Sequence, residues 1–596
     1  MQAAQREYEA RRDARAVRLE QAEQRERLIS NLRLAVFTAG LALVFIVWLA
    51  DASILWMVGP LVAFVALVVA HERASRRAAR ARRAVRHYEA GLRRLDGSWP
   101  GHGNQREDLA ADDHPYAADL DLFGRGSLFE RLCRARTGAG VRTLADWLLR
   151  PADPATVEER RAAVEELAES LDLHEDLALA GAELQAEIEP SYLVEWGERA
   201  PGIDPARVRG ASVVAWVLML ANVGATVAWA TGVTSLGPLA GTLLLTWLAG
   251  RPFADFTKKV MFDAERPSRE LAVVAEVLRR LQRESFAAER LMVLQRELSA
   301  GASAAGVSIA RLVRLVAWLD AQRSGVFAPI GFALMWTLHF GLAVEGWRRT
   351  HGPSIRGWFA ALGELEALTS LAAYRYERAG DCFAEFIEGA PQITAEAVGH
   401  PLLAEADCVR NDVALGPSRR ALVISGSNMS GKSTYLRTVG VAVVLAQAGA
   451  PVFAERMRLT PLRVGATLRV QDSLQGGASR FFAEIKRLRA VMDVADAGPG
   501  LLFLLDEILH GTNSHDRRIG AEAVVAGLLQ RDAIGLVTTH DLALAQASES
   551  MPGVVDNVHF ADELIDGTLV FDYRMKPGTV TTSNALELMR AVGLDV

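Results

Sequence analysis

Cysteine is scarce in this chain: Cys133, Cys382 and Cys408 are the only three in 596 residues. They lie far apart, three is an odd count and no C-x-x-C pair occurs. Neither a disulfide framework nor a cysteine zinc site is expected, and a reducing cytoplasm is the expected setting. An excess of positive charge is missing too. The formal net charge is −6, which excludes a globally basic nucleic-acid binder but leaves room for a local basic patch. Internal repeats and low-complexity tracts are absent. A long charged stretch precedes the first apolar run and no small-residue cleavage pattern follows it, so no cleaved signal peptide is expected. Apolar sequence, by contrast, is abundant. Hydrophobic residues make up 50% of the chain and mean hydropathy is +0.13, values that point to membrane segments.

Leu34 to Ala50 and Ala52 to Ala70 carry no charge, and only Asp51 interrupts them. Each run is near the roughly 20 residues that cross a bilayer as helix. A second uncharged stretch, Gly210 to Gly250, has the length for two crossings, with Gly232, Gly237 and Pro238 supplying a turn. Arginines and lysines flank both: Arg6 to Arg33 and Arg73 to Arg94 around the first, Arg207, Arg209, Arg251, Lys258 and Lys259 around the second. The positive-inside rule makes all these flanks cytoplasmic. The expectation is a multi-pass protein of the cell membrane, anchored by two helical hairpins, with its C-terminal domain in the cytoplasm. The competing reading is that these runs are buried core helices. A fifth apolar run, Ser324 to Val344, contains Pro329 and His339. A fifth crossing would put the C-terminal domain outside, away from nucleotide, so this run is read as a buried or re-entrant helix.

From about Ala395 short β-rich runs, ALVIS at 421–425 and LLFLL at 501–505, alternate with helical stretches. That is the signature of an α/β domain built on a parallel sheet. Gly426-Ser427-Asn428-Met429-Ser430-Gly431-Lys432-Ser433-Thr434 fits G-x-x-x-x-G-K-[ST] between a predicted strand and a predicted helix. The glycines let backbone N–H groups turn inward around phosphate oxygens, and the helix N-terminus adds its positive end. Lys432 can reach the β- and γ-phosphates of ATP, and Ser433 offers a hydroxyl to Mg2+. LLFLL ends in Asp506-Glu507. An aspartate there can hold Mg2+ and the adjacent glutamate can act as general base toward the attacking water. After the next β-like run come Thr538, Thr539 and His540. His540 is read as a γ-phosphate sensor, against the plainer alternative of a satisfied core histidine.

The segments around these motifs resemble the ATPase of the MutS family. Asn428, Met429 and Lys432 match its phosphate loop, Leu445, Ala446, Gln447 and Gly449 its Leu-Ala-Gln-x-Gly helix, and Gly511, Thr512, Ser514 and Asp516 its DE-x-x-x-GT-x-S-x-D stretch. Ser479, Phe481 and Glu484 match S-x-F-x-x-E, and Gly399-His400-Pro401 the His-Pro lead-in. Further back, Leu128, Thr137, Gly140, Arg142, Leu144, Trp147, Leu148 and Pro151 are similar to the start of the family's core helical domain. The resemblance implies a homodimer in which Ser479 and the 511–516 segment complete the partner's nucleotide site. With the apolar and charged runs it gives the division 1–33 charged cytoplasmic helix, 34–70 first hairpin, 71–116 basic helix and linker, and 117–209 first part of the core. Then follow 210–250 second hairpin, 251–394 core and lever helices including 324–344, and 395–596 ATPase domain. Departures are plain. No mismatch-reading domain fits before Asp119, the uncharged hairpin stands where a DNA clamp projects, and Cys408 stands where an adenine-stacking phenylalanine is common. Arg517 replaces a glycine, and the chain stops at Val596 without the extra dimerisation helices.

Two further readings stay open. SLQGGASRF resembles the signature of transporter ATPases, which would make the chain an ATP-driven transporter fused to its membrane part; the apolar runs, however, carry no ionisable path. The Arg73 to Arg94 helix offers DNA a phosphate-binding surface without mismatch specificity, and the same arginines serve equally as topology anchors or contacts to anionic lipid.

Overall fold

The computed structural model describes residues 2–50, 53–109, 111, 113–180, 190–200, 202–281, 283–299, 305–323, 327–427, 429–468, 480–498, 500–509, 514–539, 553–565 and 568–579. Helices dominate the first two thirds. In chain order they are α1 (Gln2–Leu49), α2 (Val58–Asp96), α3 (Leu128–Leu132), α4 (Gly138–Leu149), α5 (Pro154–Ala168), α6 (Leu171–Ala180), α7 (Pro190–Glu198) and α8 (Pro205–Ala230). These are followed by α9 (Leu236–Gly250), α10 (Ala254–Leu281), α11 (Glu289–Ser299), α12 (Ala305–Asp320), α13 (Ala328–Ala333), α14 (Trp336–His351) and α15 (Ile355–Glu377). Strands and helices then alternate: β1 (Glu385–Phe386), β2 (Ile393–Val398), β3 (Asn411–Leu415), β4 (Ala421–Ser425), α16 (Lys432–Ala448), β5 (Arg456–Leu459) and β6 (Arg463–Thr467). The described chain closes with α17 (Arg480–Asp496), β7 (Leu501–Asp506), α18 (Ser514–Leu529), β8 (Ile534–Thr539), β9 (Val555–Ile565) and β10 (Thr568–Pro577).

The chain divides into two compact units, one of Met1–Cys133, Leu144–Ser170 and Leu368–Val596, the other of Arg134–Thr143 and Leu171–Ala367. The first is built on a six-stranded sheet, order β10-β9-β4-β8-β7-β6, in which only β10 runs antiparallel to its neighbour. A four-stranded sheet, β1-β5-β2-β3, lies in the same unit. Its first strand begins at Glu385, earlier than the expected domain start at 395. The central strands β4 and β8 are buried at every position, as continuous apolar runs in a parallel sheet must be. Helix α16 packs on this sheet so closely that a Cβ at Gly440 would lie 2.6 Å from Leu504 and 2.7 Å from Leu120.

Leu120 belongs to a segment expected to begin a separate helical domain, and the structure corrects that boundary. The Ala466 N–H of β6 donates to Pro115 O at 2.9 Å, and the Leu468 N–H to the Asp119 carboxylate at 2.8 Å. Arg487 on α17 pairs with the same carboxylate. The chain at 113–122 therefore covers the outer edge of β6, where unpaired N–H and C=O groups would otherwise face solvent. The charged helix of residues 1–33 is not wholly solvated. Ala4 and Tyr8 are buried, and the Tyr8 ring lies 5.9 Å from Tyr88 and 5.6 Å from Tyr376. At the foot of the α1–α2 hairpin, Arg94 pairs with the fully buried Glu377 at 2.7 Å, and Arg131 holds its other oxygen at 3.4 Å. Helix α1 runs unbroken from this charged part into the apolar part.

Among its described residues the second unit has helices and no strands. Leu271, Val274, Leu278 and Leu281 form a buried stripe at i, i+3, i+4 spacing on α10, and Ile309, Leu312, Val316 and Leu319 are buried on α12. The buried Arg348 pairs with Glu345 and donates to Trp196 O and Ala200 O, while Glu345 accepts the Gly202 N–H, fixing the entry to α8. Gly232 makes the turn between α8 and α9 at φ +73°, but Gly237 and Pro238 sit inside the first turn of α9, not in the turn between helices. The run 324–344 is not one helix: Met335, at φ +48°, breaks it into α13 and α14. Residues 324–326 lie outside the described part.

Among the described residues, three helices are long and apolar enough to cross a membrane: α1, α2 and Ala206–Ala230 of α8. Their outer faces are bare apolar side chains, such as Phe45, Trp48, Leu61 and Val65 on the first hairpin and Val213, Trp216, Leu220 and Val227 on α8. Helix α9 has 15 residues; at about 1.5 Å per residue that is roughly 22 Å, less than a hydrocarbon core of about 30 Å.

Candidate nucleotide site

Strand β4 delivers the chain into a loop that only unusual backbone geometry permits. Gly426 (φ +150°) and Gly431 (φ +101°) take conformations that side-chain-bearing residues avoid, and Met429 follows at φ +70° with its side chain 84% exposed. A Cβ at Gly426 would meet Phe560 O and Ser430 Oγ at 2.9 Å, and one at Gly431 would meet the Tyr573 ring at 3.2 Å. Helix α16 starts at Lys432, so its unpaired N–H groups open onto the loop. The Ser427 and Ser430 hydroxyls are buried without a hydrogen-bond partner. Buried polar atoms of this kind call for a ligand, and a phosphate oxygen meets that need.

Lys432 is buried, and its ammonium donates to Gly426 O and Ser427 O at 2.8 Å each. Burial pushes its pKa down, opposed by the carboxylates of Glu507, Asp506 and Asp562. The Glu507 carboxylate lies 3.9 Å from the Lys432 nitrogen. Strand β7 ends in Asp506, and the next residues turn sharply, with Glu507 at φ +48° and Leu509 at φ +62°. Such backbone costs on the order of 1–3 kcal/mol per residue unless its surroundings hold it. Two side chains do so. The Thr538 hydroxyl, at the end of β8, donates to Asp506 and accepts the Glu507 N–H at 3.0 Å. The Glu484 carboxylate, buried on α17, accepts the Leu509 N–H. Arg517 adds a bond to Leu509 O at 3.3 Å, so the arginine that departs from the family pattern braces the same turn. Ser433 and Asp506 both present hard oxygen donors, a chemistry that suits Mg2+.

A cavity of about 730 Å3 runs from this loop along Val398, His400, Cys408 and Asn411 to Tyr573. The Asn411 amide donates to Tyr573 O at 2.9 Å and accepts the Met575 N–H at 2.8 Å. It thereby holds a bulge of β10 in which Tyr573 sits at φ +52°. Burial, with help from Arg437, drives the His400 pKa down to about 4. The Cys408 thiol is on the cavity wall, its pKa raised by burial. Sequence reasoning gave neither Tyr573 nor Asn411 a place in the site, because a bulge in the last strand has no local signature. Of the expected site residues, Gly426, Ser427, Ser430, Gly431, Lys432, Ser433, Thr434 and Met429 form or border the loop, and Asp506 and Glu507 stand beside it. Asp516 is exposed at the start of α18. Asn428, Ser479, Gly511, Thr512 and His540, and the side chain of Ser514, lie outside the described residues.

A Gly-rich loop between a buried parallel strand and a helix, with its lysine beside an acidic strand end, defines a P-loop nucleotide-binding domain. Residues 422–595 match the family model described as MutS domain V. Over 241 residues, 39% of this chain, the sequence is 35% identical to "DNA mismatch repair protein MutS 2" of Halobacterium salinarum, covering 27% of that protein. Over 197 residues, 33% of this chain, it is 36% identical to "Endonuclease MutS2" of Thermus thermophilus, covering 25% of that protein. The chain thus spans about a quarter of the length of these curated relatives. The matches support kinship with the MutS family for the C-terminal domain, and the helical region followed by an α/β domain fits a MutS-like ATPase.

Proposed function

We propose that this chain is a membrane-anchored ATPase of MutS type that works as a homodimer and couples ATP turnover to rearrangement of the dimer. The observation that carries the reading is the meeting of Lys432 and Glu507, 3.9 Å apart, on the wall of one cavity, beside a Gly-rich loop in which the Ser427 and Ser430 hydroxyls are buried without a partner. Bound ATP would draw the Lys432 ammonium from the loop carbonyls to its β- and γ-phosphates, where backbone N–H groups of Gly431 and the start of α16 complete the cradle. Glu507 then stands where a water attacking the γ-phosphorus must give up its proton; the water oxygen bonds to phosphorus, ADP leaves and the carboxylate takes the proton. Ser433 and Asp506 would hold Mg2+, which neutralises phosphate charge when bound. Tyr573 and the Val398–Cys408 wall leave room for the base.

The membrane part of the proposal rests on the bare apolar faces of α1, α2 and α8 and on the arginines that flank them. A repair-related role with DNA is the reading carried over from the names of the two relatives; Arg73, Arg77, Arg80 and Arg86 on the exposed side of α2 offer phosphates a surface. The test is purification in detergent, followed by ATPase assay with and without duplex DNA. Magnesium-dependent hydrolysis that Lys432→Ala removes supports the ATPase. DNA stimulation that falls steeply with salt supports the DNA role, and its absence at low salt refutes it.

A further inference from the structure

Helices α12 to α14 leave an aromatic cluster that the ATPase reading does not use. The Trp336 ring lies 4.5 Å from Phe340, 5.0 Å from Phe327 (edge to face) and 5.5 Å from Trp318, and its indole N–H donates to Trp318 O. The outer side of this cluster is bare: Trp318 is 52%, Ile330 53% and Phe332 39% exposed. A chain reversal of this size normally carries polar residues outward. Here α13 is instead fastened to the second hairpin. The Asn222 amide of α8, itself buried, donates to Thr246 Oγ1 of α9 at 2.7 Å and to Ala333 O of α13 at 2.8 Å. Ala333 is the last residue of α13, and the Met335 turn that follows buries its own side chain with Ala211 and Ala215 of α8.

The level of this junction along the hairpin can be read from the sequence. Thr246 stands five residues before Arg251, about 7 Å along the helix at 1.5 Å per residue. Arg251 lies 4.2 Å over the Trp247 ring, and Trp216 on the facing helix is exposed. A tryptophan beside an arginine at the cytoplasmic foot of an apolar hairpin marks the headgroup level of a bilayer. We propose that α13 and the adjoining aromatics of α12 and α14 form an interfacial anchor, lying in the cytoplasmic leaflet beside the second hairpin. In it Ile330, Phe332 and Trp318 meet lipid and Asn222 holds the anchor in place. The proposal rests on the reading that this hairpin sits in a bilayer. It commits to lipid as occupant because α13 is fastened to α8 and α9, whose outer faces are bare apolar side chains, at the level of Trp247.

The test introduces p-benzoylphenylalanine singly at Phe332, at Leu244 on the hairpin and at the exposed Glu297 on α11, in full-length protein in native membranes. After irradiation, mass spectrometry should find lipid adducts at 332 and 244 and none at 297. Adducts at 244 without adducts at 332 would overturn the anchor and leave the membrane hairpin standing. Adducts at neither would remove the hairpin reading itself. A crosslinked dimer at 332 in place of lipid would assign the face to a second copy of this chain and sink the proposal. Asn222→Leu should lower the lipid yield at 332 by about threefold, the factor one interhelical hydrogen bond in lipid is worth, while 244 is unchanged. An unchanged yield at 332 would show that Asn222 does not hold the anchor.

Discussion

Lys432 and Glu507 lie within 4 Å of each other, yet the site assigns them different tasks. Lys432→Ala removes the long cation of the phosphate loop, and ATP affinity should fall about a hundredfold, near 2.7 kcal/mol. Glu507→Ala should leave affinity within a few-fold and lower turnover by about 10²–10⁴. Equal loss of binding in the two, by equilibrium nucleotide titration, would contradict the division. His400 carries a pH prediction. Its pKa is about 4 in the fold against 6.5 for an ordinary histidine, so between those values the unfolded chain binds the extra proton. Stability contributed by the neutral ring is complete above pH 6.5 and is lost as pH falls toward 4, by at most roughly 3 kcal/mol. Thermal melts of the detergent-purified protein should show a downward slope over that window, flattened in His400→Asn. An unchanged slope in the variant would mean that other groups govern it.

Elements show where the pattern of the chain was enough. ALVIS and LLFLL are buried strands, and the stripe on α10 faces its core, because continuous apolar runs and i, i+3, i+4 spacing each admit one burial pattern. Turns were less legible: Gly237 and Pro238 suit a helix's first turn as well as a loop, and nothing local announces a left-handed Met335. Central strand β8 carries Gly535 opposite Phe503, where a Cβ would lie 2.3 Å from the Phe503 carbonyl oxygen. Gly535→Ala must therefore displace β7 or β8 and should cost about 1–3 kcal/mol, read as a lowered melting temperature; a neutral substitution would show that the strands part freely. Topology is tested on the hairpin tips. In intact cells an impermeant thiol reagent should label Ser53→Cys and Ser235→Cys, and should reach Arg489→Cys only after permeabilisation. Failure at Ser235 alone would mean that the short α9 turns back inside the bilayer.

At the scale of the whole molecule the decisive expectation is a composite site. If Ser479 completes the partner's nucleotide site, a Lys432→Ala chain mixed with a Ser479→Ala chain places both lesions on one site of the heterodimer and leaves the other intact. ATPase activity should return partly on mixing, although each variant alone is inactive. No recovery, with mixed dimers demonstrated by differential tags, would count against a shared site.

The sequence by itself determined the chemistry of the phosphate loop, the acidic strand end, the parallel α/β order and the apolar lengths of the hairpins. Each depends on residue types at fixed short spacing, which local geometry translates directly. Tertiary structure alone decided what comes together from afar. Segment 113–122 covers the β6 edge, Thr538 and Glu484 hold the Glu507 turn, Asn411 sets Tyr573 against the loop, and Asn222 ties α13 to the hairpin. Those pairings join residues separated by 25 to 351 positions. A hydrogen bond between such distant groups leaves no periodicity in the chain, because its partners are chosen by packing and not by spacing.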